Sequence, residues 1–176
     1  MGEREDIEGK IRAAFAGIRL GSGVSLRQAE AIDRTIFGIE TPDFGRLPLG
    51  EVTDDWTLIP EDELLRDNIA HLDGEGLRYY LPALLLWTLE HYDDEDRLFT
   101  DGADMTVIGT MSAIAPYADF RKTYEDVFET WFTDPQRRAI AALVEALHRL
   151  VHLDWEDSTR VTRALERYWS RYLAHS

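Results

Sequence analysis

The chain has no cysteine. That excludes disulfides, thiolate catalysis and Cys-ligated zinc or iron–sulfur centres. It also lacks a long apolar run: the best stretch, Leu81–Leu89, is about half of the ~18–20 residues that a membrane span needs. The acidic opening MGEREDIEGK has no apolar leader-like segment. Asp6 stands where an N-myristoylation motif wants Ser or Thr. The expectation is a cytoplasmic protein with no membrane partner. Positive charge is scarce too, with 19 Lys and Arg against 34 Asp and Glu and a net charge of -15. Such a surface should repel nucleic acid; it either attracts a basic partner or is only a solvated face that keeps the chain soluble, the second being the commoner case. G-x-S-x-G, Walker and G-x-G-x-x-G patterns are all missing, so no complete catalytic or phosphate-binding constellation is present and no cofactor is expected.

What is there suffices for a folded domain. Hydrophobic residues make up 44% and aromatics 11% of the 176 residues, which argues against disorder despite the charge. The length suits one helical domain over 1–176. Apolar residues recur at helical spacing in 4–18 (Ile7, Ile11, Ala14, Phe15, Ile18) and in 25–36, where Ser25 and Gln28 form a capping box ahead of Leu26, Ala29, Ile32 and Ile36. Residues 38–60 read as a long irregular connection that docks Trp56 and Ile59 on the core. A helix from Pro60 to His71 follows, then one begun by Asp73 that Pro82 ends or kinks. The acidic stretch 93–104 reads as loop, and 105–132 is ambiguous between short helices and a bent aromatic arm. Thr133, Pro135 and Gln136 start a helix to about Leu153. After a turn at 154–158, a last helix buries Val161, Leu165, Tyr168, Trp169 and Tyr172, and carries an arginine stripe (Arg160, Arg163, Arg167, Arg171) nearly opposite. The fold class is therefore all-α, with five to seven helices.

Two surfaces could carry function. Residues 51–104 hold sixteen acids and three arginines, so -13 of the charge lies there. Asp54, Asp55, Asp93, Asp94, Glu95 and Asp96 are its candidate partner-binding residues, for a basic protein. The second surface is Asp73, Glu75, Arg78 and Tyr80, packed into eight residues at the head of the most apolar segment. They would form either a ligand pocket, with Arg78 gripping a carboxylate or phosphate, or a structural knot in which Asp73 caps a helix and Glu75 pairs with Arg78. The structural knot is favoured. His148 and His152 with Glu145 imitate metal-ligand spacing without matching H-E-x-x-H, and His71 lies two residues from Asp73. The acidic loop does not fit a calcium-loop spacing. No metal is expected.

The segments FAGIRLGSGVSL (15–26), WTLIP (56–60), HLDGEGLRYYLPALLLW (71–87) and FTDPQRRAIAALVEAL (132–147) together resemble a family of bacterial proteins classed only as a domain of unknown function. The shared features are W-x-x-I-P, L-D-x-E-G-x-R-x-Y-L-P and T-x-x-Q-R steps. Gly74 departs from the proline expected at the first helical turn. The resemblance implies a single compact domain, and it assigns no activity and no catalytic residue. The leading expectation is a non-catalytic, immunity- or accessory-like module that binds a basic protein. The alternative is an enzyme or small-ligand sensor at Asp73–Tyr80. A homodimer through 117–132 is compatible with either.

Overall fold

A computed structural model describes residues 2–36, 53–66, 68–98, 103–117 and 120–173; for residues 35–36 and 120–125 it describes the backbone alone. Nine α-helices and three one-turn 3-10 helices occur among the described residues, with no strand. The fold is all-α. The helices are α1 (Glu3–Ala14), α2 (Leu26–Ile36), α3 (Glu61–Leu64), α4 (Gly74–His91), α5 (Glu95–Leu98), α6 (Ala103–Ile114), α7 (Phe120–Trp131), α8 (Asp134–Leu150) and α9 (Trp155–Arg167). The 3-10 turns are Trp56–Leu58, Ile69–His71 and Trp169–Tyr172.

Helix α4 lies at the centre because it is apolar nearly all round. Ten of its residues are buried, Pro82 among them. The helix runs through Pro82 instead of ending there. Proline costs about 3 kcal/mol inside a helix. Its neighbours Leu81, Leu84 and Leu85 are each at most 1% exposed, and full burial of one such side chain is worth roughly 1.5–3 kcal/mol. Packing therefore wins over propensity. Helices α6 and α7 pack on α4, while α1 lies along α8 and the last 3-10 turn closes on α8.

The caps hold where the sequence placed them. The Ser25 amide donates to Gln28 Oε1 at 2.8 Å and the Gln28 amide returns to Ser25 Oγ at 3.2 Å. The Thr133 amide donates to Gln136 Oε1 at 3.0 Å. Trp56 docks as expected: it is 3% exposed, and its indole N–H donates to the Phe15 carbonyl at 2.8 Å. The rest of the 38–60 connection, through residue 52, lies outside the described residues.

Other boundaries move. The expected Pro60–His71 helix is two short pieces, α3 and the 69–71 turn. The acidic stretch holds α5, and α6 begins at Ala103, where a loop was expected. The ambiguous 105–132 region is α6 and α7. Within it Phe128 and Phe132 are buried in their own chain, with ring centroids 4.7 Å apart. Asp154 caps α9, accepting from the Asp157 amide at 2.7 Å, so that helix starts at Trp155, inside the span expected as a turn.

Arg160, on the stripe's side of the last helix, is only 3% exposed. Its guanidinium donates to the Ala115 carbonyl (2.9 Å), Asp157 (2.8 Å) and Ser112 Oγ (3.1 Å), and it stacks 3.6 Å over the Tyr117 ring. A buried cation is tolerable when its donors are satisfied in this way.

Candidate functional site: an acidic groove and a polar knot

The Asp73–Tyr80 cluster turns its polar atoms towards its own chain. Asp73 is the N-cap of α4. Its Oδ1 accepts from the Gly76 amide at 2.7 Å and from the Val24 amide at 3.0 Å, which ties the Gly21–Val24 turn to the helix start. Glu75 accepts from the Ser22 hydroxyl at 2.8 Å and forms no ion pair with Arg78. Arg78 donates to the Trp131 carbonyl at 3.3 Å, while its Nε is buried with no partner among the described residues. Tyr80 is fully buried, and its hydroxyl is likewise unpartnered. Burial, followed by the Glu63 charge, pushes that hydroxyl well above the usual phenol range. Burial also pushes Tyr79 up to about 12, and its hydroxyl donates to the Thr53 carbonyl. A Cβ at Gly74 would overlap the indole of Trp131, so a proline at this first helical position is incompatible with this packing.

The acidic residues separate into two groups. Asp54 lies 3.7 Å from Arg19, just past the C-terminal end of α1. Asp55 accepts from the Thr57 hydroxyl and amide, and those bonds hold its carboxyl below the usual range. Asp93, Asp94, Glu95 and Asp96 sit at the other end of α1, where Arg4 reaches the Leu89 carbonyl at the end of α4. Twelve helical residues separate the two groups by about 18 Å.

Around Asp93 and Glu95 the fold builds a groove of about 570 Å³, which Asp94 and Asp96 do not line. Its rim carries five carboxylates, from Asp93, Glu95, Asp104, Asp154 and Asp157. Its apolar surface comes from Tyr92, Leu98, Val107 and Ile108, and no lysine or arginine lines it among the described residues. Asp93 is held by the His152 amide at 3.0 Å, which brings the end of α8 and the N-cap of α9 against α5 and α6. Asp157 accepts from the Tyr92 hydroxyl at 2.8 Å and from Arg160. Burial first, then Asp157, raises the Tyr92 hydroxyl far above its ordinary range, so it stays a donor. Next to Asp154 the Trp155 side chain is 83% exposed.

Asp93, Glu95 and Asp104 were visible in the sequence as part of the acidic run. Asp154 and Asp157 were missed as groove residues. Their only signal was the N-cap spacing Asp154–Asp157 at the start of α9, which says nothing about which surface they join.

The histidines resolve individually. His152 lies past the end of α8, and His148 Nε2 bonds Thr162 Oγ1 at 3.2 Å. His71 pairs with Asp33 of α2 rather than with Asp73, its Nε2 lying 3.0 Å from Oδ1. Among the described residues no group of three or more His, Asp and Glu side chains is arranged to hold a metal ion, and no helix is long and apolar enough to cross a membrane.

No curated protein and no solved structure matches the chain. Residues 3–173 match the model described as "Family of unknown function (DUF6714)", and the chain belongs to that family.

Proposed function

We propose that the chain is a non-catalytic binding module that takes a basic, partly apolar segment of another protein into the groove between α5, α6 and the start of α9. One observation carries the reading: five carboxylates converge on an apolar floor from three separate parts of the chain, with no lysine or arginine lining the groove among the described residues. Arg160 pairs with Asp157, and the other four carboxylates attract a cationic partner and speed its encounter. Trp155, exposed at the first position of α9 beside Asp154, offers an aromatic face on which an arginine or lysine can stack. The apolar floor favours a segment whose basic residues alternate with aliphatic ones over a purely cationic chain.

The test is fluorescence anisotropy with a labelled peptide of alternating arginine and leucine. Wild type should bind it, and affinity should fall about tenfold between about 50 mM and about 300 mM salt. The double variant Glu95→Lys with Asp104→Lys, both lining the groove, should weaken binding and flatten the salt dependence. Asp54→Lys with Asp55→Lys, at the far end of α1, should change little. Equal losses from the two double variants, or none from either, would remove the groove from the account.

A further inference from the structure

We infer that the cleft between α2, the 69–71 turn, α6 and α7 is a binding site for a small, mainly apolar molecule that carries an N–H or O–H donor. The cleft has a volume of about 650 Å³, within the range of small-ligand sites, which are mostly apolar with a few placed polar groups. Leu77, Ile108, Val127 and Phe128 supply apolar wall, and the polar groups are His71 with its partner Asp33, Asn68 and Ser112. Leu77 of the Asp73–Tyr80 segment lines the cleft, but Asp73, Glu75, Arg78 and Tyr80 do not. The cleft shares only Ile108 with the acidic groove, so it stands or falls independently of the proposed function.

The His71–Asp33 pair sets the polarity of the site. A carboxylate accepts, so Asp33 Oδ1 at 3.0 Å fixes the ring hydrogen of His71 on Nε2. In that tautomer Nδ1 is left as an acceptor. Nδ1 has no hydrogen bond among the described residues, and it is not a buried orphan. A ligand donor can therefore reach it without displacing an existing bond. Ser112 Oγ is already occupied as an acceptor by Arg160. Among the described residues no second cation or anion lines the cleft beside the Asp33–His71 pair. An anionic ligand would also enter against the chain's net charge of -15. Those conditions disfavour an anion and suit a mainly apolar molecule that brings a donor to Nδ1.

Indole and its isostere benzothiophene, which lacks the N–H, are the probes. Each is titrated at pH 8 into the full chain labelled with nitrogen-15 and followed by amide chemical shifts. Indole should bind with a dissociation constant on the order of 0.1 mM and perturb amides of His71, Leu77, Gly109 and Val127. Benzothiophene should bind about five- to tenfold more weakly, since it forfeits one hydrogen bond. His71→Phe should bring indole to the benzothiophene level and leave benzothiophene unchanged. Ala113→Trp, which fills the cleft from α6, should abolish binding of both. If His71→Phe does not fold, the wild-type comparison and Ala113→Trp still decide. Equal affinities for the two probes in wild type, perturbations that map elsewhere, or binding that survives Ala113→Trp would each overturn the inference.

Discussion

Replacing Arg160 with methionine tests the packing logic at the point where it departs furthest from the sequence pattern. Methionine matches the length of the aliphatic stem and removes the guanidinium. The Ala115 carbonyl, buried and served by Arg160 Nε at 2.9 Å, would lose its partner at a cost of about 1–3 kcal/mol. Asp157, whose side chain is 16% exposed, would keep the Tyr92 hydroxyl but lose its cation, for roughly another 1–2 kcal/mol. The stack on the half-exposed Tyr117 ring adds about 0.5–1 kcal/mol. Better burial of the thioether offsets about 1 kcal/mol. The net expectation is a loss of about 3 kcal/mol, or roughly 6–12 °C in Tm. Urea denaturation followed by circular dichroism, with wild type and variant compared at equal slope, reads it directly. Arg160→Lys keeps the charge but not the fork, and it should fall between the two. A loss below about 1 kcal/mol for Arg160→Met would show that the buried guanidinium does not hold α6 against α9, and the reasoning would fail.

Three further outcomes follow from the same structure. Gly76→Ala should destabilise by about 2–3 kcal/mol, because its Cβ would overlap the Val24 carbonyl and force backbone apart; a chemical-denaturation midpoint unchanged from wild type would contradict this. Arg78→Ala should lower Tm through the lost contact with the Trp131 carbonyl and leave peptide affinity at the groove unchanged, which thermal melts and anisotropy can separate. Burial raises the Glu129 carboxyl, but hydrogen bonds from Tyr172 and Tyr168 and the charges of Arg137 and Arg171 outweigh it and set it below 4.5. A depressed acid contributes stability that is fully present above its unfolded value and is lost as pH falls through its folded one. The stability of wild type should therefore drop more steeply than that of Glu129→Gln as pH falls below about 4.5, in denaturant midpoints measured from pH 7 to pH 3. Parallel curves would rule this linkage out.

The helices that carry their own punctuation were legible. Ser25–Gln28 and Thr133–Gln136 announce α2 and α8 locally, and the apolar stripe of α1 needs no tertiary information. Where the sequence misled, long-range packing decided. Pro82 reads as a break only until the leucines around it are known to be buried on several sides. Helix α6 hides part of its core in threonines: Thr106 donates to the Leu64 carbonyl at 3.1 Å, and Thr110 donates to the Thr106 carbonyl at 2.7 Å. Both side chains satisfy their hydroxyls and count as apolar surface, so hydropathy alone does not find the buried face. Arg160 falls on the polar side of a helical wheel, yet a carbonyl, a serine and a carboxylate meet it there.

The site was legible in part for the same reason. The acidic run showed where negative charge gathers, because charge is a property of composition. It could not show that Asp54 and Asp55 lie a helix length away from Asp93, or that Asp154 and Asp157 close the groove from the far end of the sequence. That convergence depends on the His152 amide meeting Asp93, a contact between residues 59 apart. The pairing of His71 with Asp33 is hidden in the same way, since the nearer Asp73 is held by the Gly76 and Val24 amides.

The central claim is that the groove, and not the acidic surface at large, is the working face. Amide chemical shifts of the nitrogen-15-labelled chain, titrated with the alternating arginine–leucine peptide, test it most directly. Saturable shifts confined to Tyr92, Asp93, Val107, Ile108, His152 and Trp155 are the expected result. Shifts spread evenly over exposed carboxylates, with Asp54 and Asp55 moving as far as Asp93, would contradict the claim and leave only a diffuse field of negative charge.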